Sequence, residues 1–359
     1  MKFGVINRVT DGFFRYQAWP TVAKDEKGVL YAASSGHRLG HVCPFGKDLL
    51  YISHDEGESW LGPIIANDTY MDDRDAGLIA WGDGQLLLSW FAHPGEFMDG
   101  RIGRNPEVSL PMSIGAREMW RGMAPEEKPF GSFIKLSQDG CKTWSERIRV
   151  PLTAPHGPIR RKDGSFLYFG RSFHAEELGY EPKRVYAAES RDGGKTWEKL
   201  GIVPIVEGVE HDRFCEPHVV ELPDGTLLGA MRVNRIDKVN CDNEVYTTFS
   251  NDGGKTWSVP QCIGQVGAPP HLLLHSSGAI VMTTGRRIAP CEERAYISRD
   301  GGKTWSAPIT ISQESPDWDL GYPSSVELSD GSILTVYYQK YPGDSYNSLL
   351  STRWELPTK

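Results

Sequence analysis

The chain has 359 residues with 39 Gly, 24 Pro and 11 Trp, 39% hydrophobic residues and a formal net charge of −8. No apolar run approaches the roughly 20 residues of a membrane-spanning helix. The acidic balance argues against general nucleic-acid binding, although a local cluster of arginines can still hold an anionic ligand.

The opening MKFGVINRVTDGFF has neither the basic start nor the long apolar core of a secretory signal. This predicts a cytoplasmic protein whose cysteines (43, 141, 215, 241, 262, 291) stay reduced. Within that opening, KFGVINR (2–8) can form a strand. QAWPTVAKDEKGVLYAAS (17–34) then shows a frame that recurs down the chain: a Pro, an apolar strand, a turn at a Gly, and a second apolar strand. The octet SHDEGESW (Ser53–Trp60) follows, and RDAGLIAWGDGQLLLSWF (74–91) repeats the frame. The stretch at about 94–130 interrupts the period. It contains PMSIGAREMWRGMAPEE, has some helical character, and leaves from the end of a second strand, so it is either a decorative loop or a lid. After it come the octet SQDGCKTW (Ser137–Trp144), the frame APHGPIRRKDGSFLYFGR (154–171) and the octet SRDGGKTW (Ser190–Trp197). CEPHVVELPDGTLLGAMR (215–232), SNDGGKTW (Ser250–Trp257), GAPPHLLLHSSGAIVMTTGR (267–286), a second SRDGGKTW (Ser298–Trp305) and GYPSSVELSDGSILTVYY (321–338) continue the alternation. YNSLLSTRWEL (346–356) closes it.

The turn glycines of the frames are Gly28, Gly84, Gly164, Gly225, Gly278 and Gly331, spaced by 56, 80, 61, 53 and 53 residues. Six units with a period near 50 predict an all-β, six-bladed β-propeller, one unit per blade, as a single domain over 1–359 with the insertion at about 94–130. The tail supplies the third strand of the last blade. Strand 2–8 can add its fourth, which leaves no open edge. In the octets, Asp folds back on its own backbone, Gly takes a positive φ and Trp packs beneath, the chemistry of a hairpin turn rather than of catalysis.

In such a ring the inner strand of each blade starts, and the second strand ends, at the same face. The inner-strand starts are Trp19, Asp75, Pro155, Glu216, Pro269 and Tyr322. The second strands end at Ser35–Arg38, Trp90–His93, Arg171, Arg232, Arg286–Arg287 and Tyr338–Tyr341. Acidic, phenolic and guanidinium groups are therefore expected to converge at one mouth.

The five octets share S-x-D-x-G-x-[ST]-W, broken only at Cys141, and resemble the Asp-box of the sialidase (neuraminidase) superfamily. That resemblance extends to EPHVVELPDG, with Glu216 sixteen residues before Arg232, and to GYPSSVELSDG, which offers Tyr322 at the start of the last inner strand. The repeats carry it over nearly the whole chain, the catalytic residues only from about residue 210 onward. It implies an exo-acting glycosidase that releases a terminal sialic acid or related acidic sugar from a glycan, with no cofactor. In that reading arginines grip the sugar carboxylate by paired charge-assisted hydrogen bonds. A neutral Tyr, here Tyr322, serves as nucleophile because an ionised carboxylate would be repelled, and Glu216 takes its proton. For the clamp the resemblance implies Arg232 and an arginine near the fifth blade's second strand. Arg287 and Arg294 both fit, Arg286 adjoins them, and Arg287 is favoured.

The first blade departs from the family pattern. Ala18 of QAWP stands where an Arg is expected, leaving Arg15, Arg38 and Arg171 as candidates to complete the cluster. The loop SSGHRLGHVCPFG lacks the expected acid/base Asp. Asp75 in DDRDAG (72–77) is the favoured substitute, and the alternatives are a purely structural role for the run or a proton donor at His37 or His41. His156, His218, His271 and His275 lack a metal-ligand spacing, so no metal is expected. Two other functions fit the same scaffold: an exo-glycosidase for a neutral or uronic sugar using Asp75 with Glu216, and a non-catalytic propeller that binds a glycan or protein.

Overall fold

The computed structural model describes residues 1–95, 110–128, 130–234 and 243–358. Six antiparallel sheets are arranged as the blades of a propeller. Blade 1 comprises Tyr16–Lys24, Leu30–Arg38, Lys47–Ser53 and Leu61–Asn67; blade 2 comprises Asp73–Trp81, Gln85–Ala92, Gly131–Ser137 and Ile148–Val150. Blade 3 has a broken inner strand, Leu152–Thr153 and Ile159–Arg160, followed by Phe166–Ser172, Val185–Ser190 and Glu198–Ile202. Blade 4 runs Phe214–Glu221, Leu227–Val233, Glu244–Ser250 and Gln261–Val266; blade 5 runs His271–Leu274, Ile280–Arg286, Glu292–Ser298 and Ile309–Thr310.

Blade 6 contains Gly321–Glu327, Ile333–Lys340 and Asn347–Trp354, and its outer strand is Lys2–Asn7 from the opposite end of the chain. Lys2 pairs with Arg353 and Val5 with Leu350, so the ring is closed by the first strand as the pattern predicts. Closure covers an edge that would otherwise template association.

The core is distributed. Each neighbouring pair of blades shares its own apolar cluster, from Tyr31, Leu50, Leu88 and Trp90 between blades 1 and 2 to Ala18, Trp19, Val336 and Leu349 between blades 6 and 1. The strands supply these layers because alternate side chains leave opposite faces of a sheet, and both faces of each blade are covered. Near the axis the inner strands of blades 2 and 3 touch: a Cβ on Gly77 would lie 2.3 Å from the Gly157 nitrogen, so only glycine fits.

All five octets span the turn from third to fourth strand, at the face opposite the mouth. In each, the Ser hydroxyl donates to the Asp two residues on and accepts the N–H four residues on, as in Ser190 with Asp192 and Gly194 at 2.8 Å each. The Asp in turn accepts the N–H and hydroxyl of the residue before the Trp, Thr196 for Asp192. These bonds hold the Asp55, Asp139, Asp252 and Asp300 carboxyls down at about 2. Cys141 takes φ 64 where the other four have glycine, and its thiol joins the cluster between blades 1 and 2.

The insertion leaves blade 2 after Ala92 and returns at Gly131; residues 96–109 and 129 of it lie outside the described residues. Its helix, Leu110–Gly122, seats Trp120 on Met71 and Ala92, and Met112 packs against Leu39, Cys43 and Phe45. The helix therefore rests on the loops of blades 1 and 2 at the mouth. No described helix is long and apolar enough to cross a membrane.

Candidate active site

Four inner strands share one local distortion. Trp19, Asp75, Glu216 and Tyr322 have φ of 56°, 55°, 50° and 54°. Each coincides with a break in register against the second strand: between Ala18 and Thr21, Arg74 and Gly77, Cys215 and His218, and Gly321 and Ser324. A bulge re-aims a side chain, here toward the mouth. Left-handed backbone at a non-glycine residue costs about 1–3 kcal/mol each and persists only where the surroundings enforce it. Blades 3 and 5 carry Pro155 and Pro269 at this position. Their rings fix a negative φ, so these two blades cannot present a side chain in the same way.

Tyr322 Oη donates to Glu216 Oε1 at 2.5 Å, and Arg232 Nη1 donates to Glu216 Oε2 at 2.8 Å. Asn234 Oδ1 accepts from Arg232 Nε at 2.9 Å and orients it. Burial alone would push the Glu216 carboxyl up, but the Arg232 charge and the bonds from Tyr322 and Arg232 hold it below its usual value. Burial, then the Glu216 charge, raises Tyr322 well above the ordinary phenol range. Asp75 goes the other way from Glu216: burial, opposed by Arg74 and reinforced by Glu216, pushes its carboxyl up to about 7. Two carboxyls near one mouth are thus held apart in acidity, one ionised and one able to give a proton near neutrality.

Three guanidiniums surround the pair. Arg287 donates from Nε to Leu320 O at 3.1 Å and from Nη2 to Tyr338 Oη at 3.4 Å, and it sits 5.7 Å from the Tyr322 ring centre. Arg232 is the second. The third is Arg74, which sequence reasoning missed. It stacks 4.0 Å over Trp19 and donates to His41 O at 2.8 Å and Asp72 Oδ2 at 3.2 Å, with Asp75, Tyr322 and Tyr16 also within electrostatic range. Arg74 precedes the bulged residue of blade 2 just as Ala18 precedes that of blade 1. Superposing the inner-strand frames places the guanidinium absent at Ala18 one blade further on, a signal present in DDRDAG but not used.

The remaining candidates fall elsewhere. Arg38 is fully buried behind Trp19, paired with Asp72 at 2.6 Å. Its Nη2 donates to His41 O, so it supports the His41 loop from beneath. His41 packs edge-on against Trp19 at 5.0 Å and meets Asp319 at 3.3 Å through Nδ1. His37 has Lys47 and Asp68 as its charged neighbours, and Arg294 lies one strand outward, bound to Glu292 at 2.8 Å; neither joins the group. Arg171 lines a cavity that Asp75, Glu216 and Arg232 also bound. Among the described residues no cluster of His, Cys, Asp and Glu could hold a metal, and the described cysteines are free thiols.

Asp319 was also missed. Its carboxylate accepts from Tyr16 Oη at 2.9 Å, Tyr338 Oη at 3.1 Å and Asn347 Nδ2 at 3.0 Å as well as meeting His41. Burial would raise it, yet these donors, with His41 foremost, hold it at about 2. It ties Tyr338 and Asn347 of blade 6 to Tyr16 and His41 of blade 1. No turn or repeat marks it in the sequence.

Beside this cluster lies a cavity of about 270 Å³ bounded by Asp75, Phe91, His93, Thr153, Pro155, Arg171, Phe173, Cys215, Glu216, Arg232 and Asn234. It is at the small end of ligand pockets, a size for a single sugar ring rather than a chain.

Comparison with known proteins agrees with this architecture. A protein of unknown function from Dyadobacter fermentans superposes with a TM-score of 0.78 at 21% identity, covering 99% of this chain and 98% of that one. The intramolecular trans-sialidase from Ruminococcus gnavus gives 0.66 at 14% identity (97% and 95% covered). An α-L-arabinofuranosidase from Fusarium graminearum gives 0.61 at 13% (98% and 98%). At such identities the likeness is one of fold. No curated protein sequence matches the chain significantly. A family profile described as a BNR repeat-like domain matches residues 120–336, more than half of the chain, and with sialidase-like propellers as its structural neighbours the chain belongs to the BNR repeat-like family.

Proposed function

We propose that this protein is an exo-acting glycosidase that hydrolyses a terminal sialic acid or related acidic sugar, with retention, through Tyr322. The observation that carries the reading is the short Tyr322–Glu216 hydrogen bond beneath three guanidiniums. Arg287, Arg232 and Arg74 supply positive charge for a carboxylate on the reacting carbon, and a neutral phenol can approach that carbon without repulsion.

In the first step the Tyr322 oxygen forms a bond to the anomeric carbon while its proton passes to Glu216. The bond from that carbon to the leaving oxygen breaks as Asp75 gives the oxygen its proton. Because Tyr322 is raised and Glu216 lowered, moving the proton fully in the resting enzyme is uphill. Proton transfer is therefore coupled to bond formation. In the second step Asp75, now a carboxylate, takes a proton from water, the water oxygen bonds to the anomeric carbon, and Tyr322 leaves and recovers its proton from Glu216.

The test is a 2,3-difluorinated sialoside that accumulates the glycosyl-enzyme, followed by peptide mass mapping. Label on Tyr322, and loss of nearly all turnover with retained ligand binding in Tyr322→Phe, is the expected result. A second reading, a neutral- or uronic-sugar glycosidase, is favoured by one observation: Asp75 and Glu216 bound the cavity, whereas Tyr322 does not. Label on Glu216 or Asp75 would select it, and absence of turnover of any glycoside by the wild type would leave only a binding role.

A further inference from the structure

The cavity between blades 2, 3 and 4 has two dissimilar walls. One is aromatic: Phe91, His93 and Phe173 meet edge to face, with ring centres 5.0 to 5.3 Å apart. The other carries Arg232 and Arg171. Arg232 is paired with Glu216, and Arg38 and Arg74 share Asp72. Arg171 is different. Its Nη2 donates to Asp212 O at 2.9 Å and its Nε to Lys183 O at 3.5 Å, and no carboxylate among the described residues pairs with it. The Asp212 carboxylate instead lies 3.8 Å from Lys183 Nζ. Backbone carbonyls orient a guanidinium without cancelling its charge. A charge left uncompensated beside an apolar wall attracts an anion more strongly than one on open surface.

Arg287, which donates to the neutral oxygens of Leu320 and Tyr338, comes from blade 5, across blade 4, and does not bound this cavity. One carboxylate at Tyr322 therefore leaves Arg171 unanswered. We propose that Arg171 forms a second anion-binding position, so that the sugar taken into this cavity carries an anionic substituent, a sulfate or phosphate ester or a second carboxylate, remote from its reacting carbon. The reacting end in this inference rests on the function proposed above. The aromatic wall covers the apolar face of the ring, and the substituent reaches Arg171.

Calorimetric titration of the whole protein with N-acetylneuraminate, its 9-phosphate and its 9-sulfate tests this, using the wild type, Arg171→Gln, Arg171→Lys and Arg287→Ala. The two esters are expected to bind the wild type at least tenfold more tightly than the parent sugar. That advantage disappears in Arg171→Gln and returns in part in Arg171→Lys, while Arg287→Ala weakens all three sugars alike. The relative gain of the two esters distinguishes sulfate from phosphate as the preferred group. Equal affinity for all three sugars in the wild type, or an advantage that survives Arg171→Gln, overturns the second position and leaves the proposed function standing. If no acidic sugar binds, the reading of the reacting end fails instead. Inorganic sulfate then tests Arg171 directly: binding lost in Arg171→Gln upholds the position, and binding unchanged or absent removes it.

Discussion

Asp75 is held in a state that costs the fold and serves the proposed chemistry, so Asp75→Asn should separate the two. Its carboxyl stands at about 7 in the folded protein against an ordinary 3.8. An acid whose folded value is raised keeps its proton where the unfolded chain has already lost it. Stability therefore falls as pH rises from 3.8 to about 7, and the full cost is present above that window. At 1.36 kcal/mol per pH unit, the gap corresponds to about 4 kcal/mol. Asparagine has the same shape and no charge to bury. The variant should match the wild type near pH 4 and exceed it by up to about 4 kcal/mol at pH 8, roughly 5 °C in Tm for a chain of this length. The wild-type curve alone would mislead, because buried neutral His156, His218 and His271 are all depressed, His218 to about 3, chiefly by burial. The unfolded chain binds their protons first, so they make stability rise with pH up to about 6.5 and oppose Asp75. The difference between variant and wild type isolates the one group. On an alkyl glycoside the same substitution should lower kcat/KM by about 10²–10⁴ and erase a pH-rate limb near 7, with a much smaller loss on an aryl glycoside whose leaving group needs no proton. Calorimetric scans from pH 4 to 8 and pH-rate profiles are the assays. A stability gain that does not change with pH, or equal losses on both glycosides, would refute the reasoning.

Arg74→Ala and Arg287→Ala should each raise KM for an acidic sugar by about tenfold or more while leaving neutral glycosides unaffected, and Lys should restore only part of it because an ammonium lacks the planar fork; steady-state kinetics on paired substrates decide it. Asp319→Asn leaves two tyrosine hydroxyls and Asn347 without a charged acceptor and should cost about 2–4 kcal/mol at pH 7, with the deficit shrinking below about pH 4 as the wild-type carboxylate, held at about 2, approaches protonation; urea unfolding at several pH values reads this. Deleting residues 2–7 should uncover the Asn347–Trp354 edge and produce concentration-dependent association in sedimentation, whereas a variant that stays monomeric with unchanged Tm would show that closure is dispensable.

Much of the architecture was determined by the sequence itself, because its causes are local. A Gly with positive φ, an Asp folding onto the following N–H and a Pro before an apolar run act over eight to twenty residues, so Gly28 to Gly331 mark six blades and Asp55 to Asp300 mark five outer turns without reference to anything distant. The convergence of Glu216, Tyr322 and Asp75 was legible for the same reason: once the repeat is aligned, equivalent strand starts must meet at one face. Tertiary structure alone decided which charges meet there. Arg74 reaches the group because Trp19 of the neighbouring blade offers a face to stack on, and Arg294, adjacent in the alignment to a plausible position, turns to Glu292 instead. Asp319 binds donors from residues 16, 41, 338 and 347, separations that no local pattern encodes. A side chain's acidity and orientation depend on what is packed around it after the ring closes, and in a propeller those neighbours come from other blades.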